Sequence, residues 1–172
     1  MKMSDSREIK AAPEVVWAAI LDPEVLKACV PGCTDMNGNA NDGFEASVTQ
    51  KVGPVKATFK GQVTLSDMIE PQSLTLTGEG KGGAAGFAKG GARVTMAPSE
   101  VGTTLTYEVD ASVGGKLAQL GSRIIDGFAK KMADQFFQNF QEAVEGPADP
   151  EAATEGEATD GKKKGWFKRM VS

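Results

Sequence analysis

The spacing of apolar residues changes along the chain, and each change marks a new element. MSDSREIKA alternates weakly and reads as a first strand. Pro13 then opens PEVVWAAILDPEVLKACV, where Val16, Ala19 and Ile20 recur at helical spacing. Pro23 starts a second short helix, and the pair ends at the turn Pro31-Gly32. From Asp42 to about Val113 the period is two. FEASVTQKV sets Phe44, Ala46, Val48, Gln50 and Val52 on one face. VKATFKGQVTL sets Val55, Ala57, Phe59, Gly61, Val63 and Leu65 on one face, with lysines, threonines and Gln62 on the other. SLTLTGEG, AKGGARVTM and TTLTYEVDASV continue the series, separated by turn signals at Gly53-Pro54, Glu70-Pro71 and Pro98-Ser99. Strands joined by short turns predict an antiparallel meander with one apolar face that something must cover.

The cover comes next. From Lys116 to about Val144, Leu117, Leu120, Ile124, Phe128, Met132, Phe136, Phe140 and Val144 step almost always by four, predicting one long helix. Gly121 and Gly127 interrupt it, each costing a helix roughly 1 kcal/mol relative to Ala. Close packing at those points would account for them. The predicted architecture is an α+β grip, a curved antiparallel sheet around a long C-terminal helix, with two short helices after the first strand.

After Gly146 the pattern stops. PADPEAATEGEATDG has no large apolar residue and five acids, which reads as a disordered linker over 146–161. Residues 162–172 carry five bases around a Trp-Phe pair. The body is thus 1–145. Linker and tail cancel in charge, so the net −4 belongs to the body. An acidic body repels phosphate backbones and argues against nucleic acid.

Composition removes much chemistry. The chain has no histidine, hence neither the commonest general base near neutral pH nor the commonest metal ligand. Two cysteines cannot complete a structural zinc site alone, and Cys29 and Cys33 in CVPGC lack the C-x-x-C redox spacing. They read as small core residues, and no metal site is expected. Gly78, Gly80 and Gly83 satisfy G-x-G-x-x-G, but a strand rather than a helix follows, so pyrophosphate binding is not expected there. That stretch reads as a flexible hairpin. No nucleophile stands beside a base. No long apolar run opens the chain, which predicts a cytoplasmic protein.

The inward faces mix large residues with small ones such as Ala46, Ala57, Gly61, Gly78, Gly90, Ala92 and Ala111. Two arrangements fit: the small residues let the helix sit close, or they leave room. A cavity would be lined by Phe59, Val63, Leu76, Val94, Tyr107, Val109, Leu120, Ile124, Phe128 and Met132. A dry apolar hole of that kind suits a lipophilic guest.

KVGPVKATFKG, GEGKGGAAGFAKGGARV and TYEVDASVGGKLAQLGSRIIDGFAKKMADQFFQNF resemble the CoxG family, the G subunits of carbon monoxide dehydrogenase, as does Pro31-Gly32-Cys33. The family lies in the START-like, or SRPBCC, superfamily. The resemblance runs from about Ile9 to Phe140 and implies a helix-grip fold with a hydrophobic cavity. It also implies association with a molybdenum-containing carbon monoxide dehydrogenase, or a related molybdenum hydroxylase, and its attachment to the inner membrane. The family is not itself the catalyst, and no catalytic residues carry over.

On a helix Trp166, Phe167, Met170 and Val171 share a side, away from Lys163, Lys164 and Lys168. Lys162, Lys163, Lys164, Trp166, Phe167, Lys168 and Arg169 are therefore expected to bind an anionic membrane surface. At about 1 kcal/mol per base near such a surface, attachment would be reversible and peripheral, on the inner face of the cell membrane. The expected function is recruitment of the dehydrogenase and delivery of a respiratory quinone, with no covalent cofactor. Two other classes stay open. One is a pure adaptor without ligand. The other is a START-like cyclase or hydrolase, for which Tyr107 and Gln50 are the only obvious polar candidates.

Overall fold

A computed structural model describes residues 1–145. The chain begins with β1 (Lys2–Ile9), α1 (Pro13–Ile20) and α2 (Pro23–Cys29). Six strands follow: β2 (Cys33–Asn39), β3 (Gly43–Val52), β4 (Val55–Ile69), β5 (Ser73–Lys81), β6 (Phe87–Pro98) and β7 (Thr103–Gly114). The chain then forms α3 (Lys116–Gln119) and α4 (Ser122–Glu145). The linker expected over 146–161 and the membrane-binding tail expected over 162–172 lie outside the described residues.

β2 to β7 form a continuous antiparallel meander, and β1 returns to pair with β7, giving the order β1-β7-β6-β5-β4-β3-β2. α1 and α2 therefore connect the two opposite edges of one sheet. Pro13 and Pro23 each stand in a first helical turn, where a missing N–H costs nothing, and the Asp22 side chain accepts from the Glu24 N–H to cap α2. Strand alternation holds as predicted. In β4, Val55, Ala57, Phe59, Gly61, Val63 and Leu65 turn inward and the residues between them are exposed.

Four expectations change. β2 is an additional strand, silent in the apolar pattern because an edge strand with a bulge between Cys33 and Asp35 buries too little to alternate. The predicted single helix is two, since Gly121 takes a φ of +91° that ends α3 before Ser122 begins α4. The close packing expected at Gly121 and Gly127 is absent: a methyl group at either would meet nothing within 4 Å. Cys29 is buried as expected, but Cys33 is only half-buried.

Most of the packed core sits toward one end, although Val52, Ala85 and Leu117 are buried near the other. Ile9, Val16, Leu105 and Phe140 are fully buried, with Trp17, Met96, Tyr107 and Phe137 close behind. They come from β1, α1, β6, β7 and the second half of α4. Asn139 Nδ2 donates to the Cys29 carbonyl at 2.9 Å, tying that half of α4 to α2. Met1–Phe140 form one compact unit, and Gln141 begins a second.

Candidate functional site

The site of interest is the space between the apolar sheet face and the first half of α4. The ten residues expected to line a cavity lie on the inward faces of β4 to β7, on α4 or, for Leu120, just after α3, but in two environments. Val94 and Tyr107 are buried in the packed core. Phe59, Val63, Leu76, Val109, Leu120, Phe128 and Met132 are half-buried, and Ile124 is 42% exposed. An apolar helix face seated on a sheet would not stay half-exposed, because burying it is the main driving force for seating it.

The glycines of the inner face give the same picture from the other side. A methyl group built on Gly61 would meet only the Glu79 and Ala46 carbonyls, at 3.6 and 4.0 Å. On Gly80 it would meet only Phe59 Cβ at 4.0 Å, and on Gly78 only Val63 and the Gln62 carbonyl within that distance. Every one of these atoms belongs to the sheet. No atom of α4 comes within 4 Å of these three positions, so the helix is not seated on the sheet there. Where the sheet turns at its far end, Leu120 and Ile124 do approach, 3.7–3.9 Å from a methyl placed on Gly53.

Two grooves of about 610 and 380 Å³ lie elsewhere, on the outer, polar face of the sheet. The larger runs past Thr64, Thr77, Lys89 and Asp110; the smaller past Asp35, Glu45, Lys60 and Lys81. Gln62 and Glu79 border both. Neither groove touches any of the ten expected lining residues. They are open troughs between rows of outward side chains, a shape that does not enclose an apolar guest.

A polar cluster that alternation could not reveal marks the border between the packed and open halves of α4. Arg7 stands on the inner face of β1, opposite Leu105. Its guanidinium bonds the Asp134 carboxylate at 2.5 Å and stacks 5.3 Å over the Phe137 ring, which in turn stacks on Tyr107 at 5.0 Å. Lys130 reaches the other Asp134 oxygen at 3.1 Å. Burial works against the Arg7 charge, and the hydrogen bonds with Asp134 and Tyr107 outweigh it, so the Arg7 pKa stands above its ordinary value. Hydrogen bonds from Arg7, then from Lys130, hold the Asp134 carboxyl below the ordinary carboxylate value. Arg7 Nε is buried without a hydrogen-bond partner. The cluster clamps α4 to the edge strand at its midpoint. The two polar candidates for an enzyme are not brought together. Tyr107 belongs to this cluster, whereas Gln50 pairs with Ala57 toward the other end of the sheet, where its Nε2 donates to the Pro31 carbonyl.

The G-x-G-x-x-G stretch is a hairpin, as expected, though several of its glycines are in strands: Gly78 faces Gly90 across β5 and β6, joined through a single 3-10 turn at Gly83–Ala85. A strand follows it, as predicted. Among the described residues no helix is long and apolar enough to cross a membrane.

Comparison with known proteins agrees with this architecture. The crystal structure of a conserved protein from Geobacillus kaustophilus superposes with a TM-score of 0.78 at 29% identity, over 84% of this chain and 95% of that one. A START superfamily protein from Mycobacterium smegmatis gives 0.63 at 16% identity, over 84% and 97%. A Chromobacterium violaceum protein gives 0.62 at 17%, over 84% and 98%. The latter two likenesses establish the fold alone, which is START-like. No curated protein sequence matches. The family model for CoxG, the G subunit of carbon monoxide dehydrogenase, matches residues 6–145, nearly the whole described body, and the chain belongs to that family.

Proposed function

We propose that this protein is a non-catalytic accessory of a molybdenum-containing carbon monoxide dehydrogenase. In this reading it recruits the enzyme to the inner face of the cytoplasmic membrane and carries a respiratory quinone, menaquinone or ubiquinone, between its sheet and α4. Family membership supports the partnership. The observation that carries the ligand reading is the open half of α4: apolar residues Ile124, Phe128 and Met132 are left partly exposed, and no α4 atom comes within 4 Å of a methyl on the inner-face glycines Gly61, Gly78 and Gly80. A guest with an isoprenoid chain would bury both surfaces at once, gaining about 25 cal/mol for each Å² of apolar area removed from water. Its quinone ring would shuttle electrons from a water-soluble enzyme to the bilayer. The basic tail, Lys162 to Ser172, supplies reversible attachment, and the acidic segment before it supplies reach.

Organic extraction of the full chain purified from its own host, with quantification of quinone, tests the ligand. About one quinone per chain supports it; none opposes it. Deleting Lys162 to Ser172 tests the anchor. Lost sedimentation with anionic vesicles supports it, and unchanged sedimentation refutes it. The polar grooves of the outer face favour a second reading, a pure adaptor that docks the dehydrogenase there and holds no ligand.

A further inference from the structure

The ends of the strands carry opposite charges. At one end Lys51 and Lys56 flank the β3–β4 turn, Lys60 and Lys81 close the β4–β5 ladder, Lys116 opens α3 and Arg123 opens α4. All six are exposed. At the other end lie acids: Asp42 between β2 and β3, Asp67 near the end of β4, Glu70 between β4 and β5, and Glu100 between β6 and β7. Acids also stand near the basic end: Asp126 lies one turn into α4 from Arg123, and Asp35, Glu45 and Glu79 border the outer-face groove that holds Lys60 and Lys81.

The basic end is built at a cost. Lys51 stands directly opposite Lys56, and Lys60 directly opposite Lys81. Like charges facing each other across an antiparallel ladder destabilise it. Among the described residues none of the six is in an ion pair; the ion pairs gather instead around Arg7 and Asp134. Both ends expose apolar side chains, Met68, Ile69 and Val101 at the acidic end and Phe87 at 38% and Ile124 at 42% at the basic end, so charge is what sets the basic end apart. Phe87 lies in the row Lys60, Lys81, Phe87, Gly114 across four strands, and Ile124 lies against the β3–β4 turn at Gly53. Unpaired bases around protruding apolar residues match an anionic bilayer, with phosphates outside and hydrocarbon beneath.

We propose that this end of the body is itself a membrane-docking surface, distinct from the tail, which seats the open start of α4 against anionic lipid. The proposal rests on the reading that the protein works at the membrane, and it does not require a ligand.

The test uses the full chain with Cys33→Ser and an environment-sensitive fluorophore on Ile124→Cys, or on Val101→Cys at the acidic end as control. Vesicles carry phosphatidylcholine with about 30 mol% phosphatidylglycerol and no quinone, so an empty cavity leaves the result intact. The expected result is a blue shift at position 124, none at 101, and none with phosphatidylcholine alone. Lys51→Glu with Lys56→Glu weakens the lipid dependence of that shift by about tenfold or more, while Lys51→Arg with Lys56→Arg preserves it. Far-UV circular dichroism checks that each variant is folded. No shift at 124 at saturating lipid, or equal shifts at both labels, overturns the proposal. A label already shielded before lipid is added, and released by salt, would assign the patch to the acidic segment 146–161 and also overturn it.

Discussion

The two halves of α4 are made from one apolar stripe but lead different lives. Phe137 and Phe140 in the second half are buried, and Phe137 stacks on Tyr107. Ile124, Phe128 and Met132 in the first half are not, and Gly127 faces nothing within 4 Å. The same spacing of apolar residues therefore serves packing at one end and availability at the other. The difference shows in the contacts: Phe137 in the second half stacks on Tyr107 of β7, whereas no atom of the first half comes within 4 Å of a methyl placed on Gly61, Gly78 or Gly80. Arg7 and Asp134 sit where one regime gives way to the other.

The largest expected effect comes from the packed half. Phe140→Ala empties a fully buried ring and should destabilise the protein by about 3–5 kcal/mol, while Phe128→Ala should cost under about 2 kcal/mol. Urea denaturation of both reads the contrast directly; equal losses would dissolve it.

Inner-face glycines give the next contrast. A methyl group on Gly90 would run into the Asp110 carbonyl and the Ala111 backbone, so Gly90→Ala should cost about 1–3 kcal/mol. The Gly61→Ala methyl makes only ordinary contacts, no nearer than 3.6 Å, and should leave stability within about 0.5–1 kcal/mol, on the stabilising side. Thermal unfolding of the pair measures this, and a severe loss in Gly61→Ala would mean that α4 sits closer than described.

The clamp between the halves titrates. Because the Asp134 pKa is lowered in the folded state, its contribution is present above the unfolded carboxylate value of about 3.9 and is lost as pH falls through the lower folded value. Asp134→Asn should therefore lower stability modestly at neutral pH and flatten the loss of stability in acid. Equilibrium unfolding from neutral pH down to about pH 3 checks the sign; an unchanged acid profile would remove Asp134 from the account.

Much of this comparison is readable from the residues. Strict alternation exposes β3 to β7, and two prolines expose α1 and α2, because each is a strong local signal. The step of four finds the α4 stripe but cannot divide it, since burial depends on which strand residues stand opposite. β2 escapes because it buries too little to alternate. Arg7 escapes because an inward arginine in a weakly alternating strand looks like a surface charge until Asp134 and Phe137 arrive from far along the chain. Gly121 is a visible signal with a different meaning: it serves backbone conformation, not the packing contact its place in the stripe suggests. The charge division between strand ends is invisible until register sets Lys51 beside Lys56 and Lys60 beside Lys81.

Everything functional depends on whether the space before the first half of α4 takes an apolar guest. Native mass spectrometry of the full chain from its own host, alongside Gly61→Phe, asks that directly. The account predicts a solvent-extractable adduct of isoprenoid quinone mass on the wild type, absent or strongly reduced when a phenylalanine fills the inner face. Bare wild-type chain, or an adduct indifferent to the substitution, would contradict it.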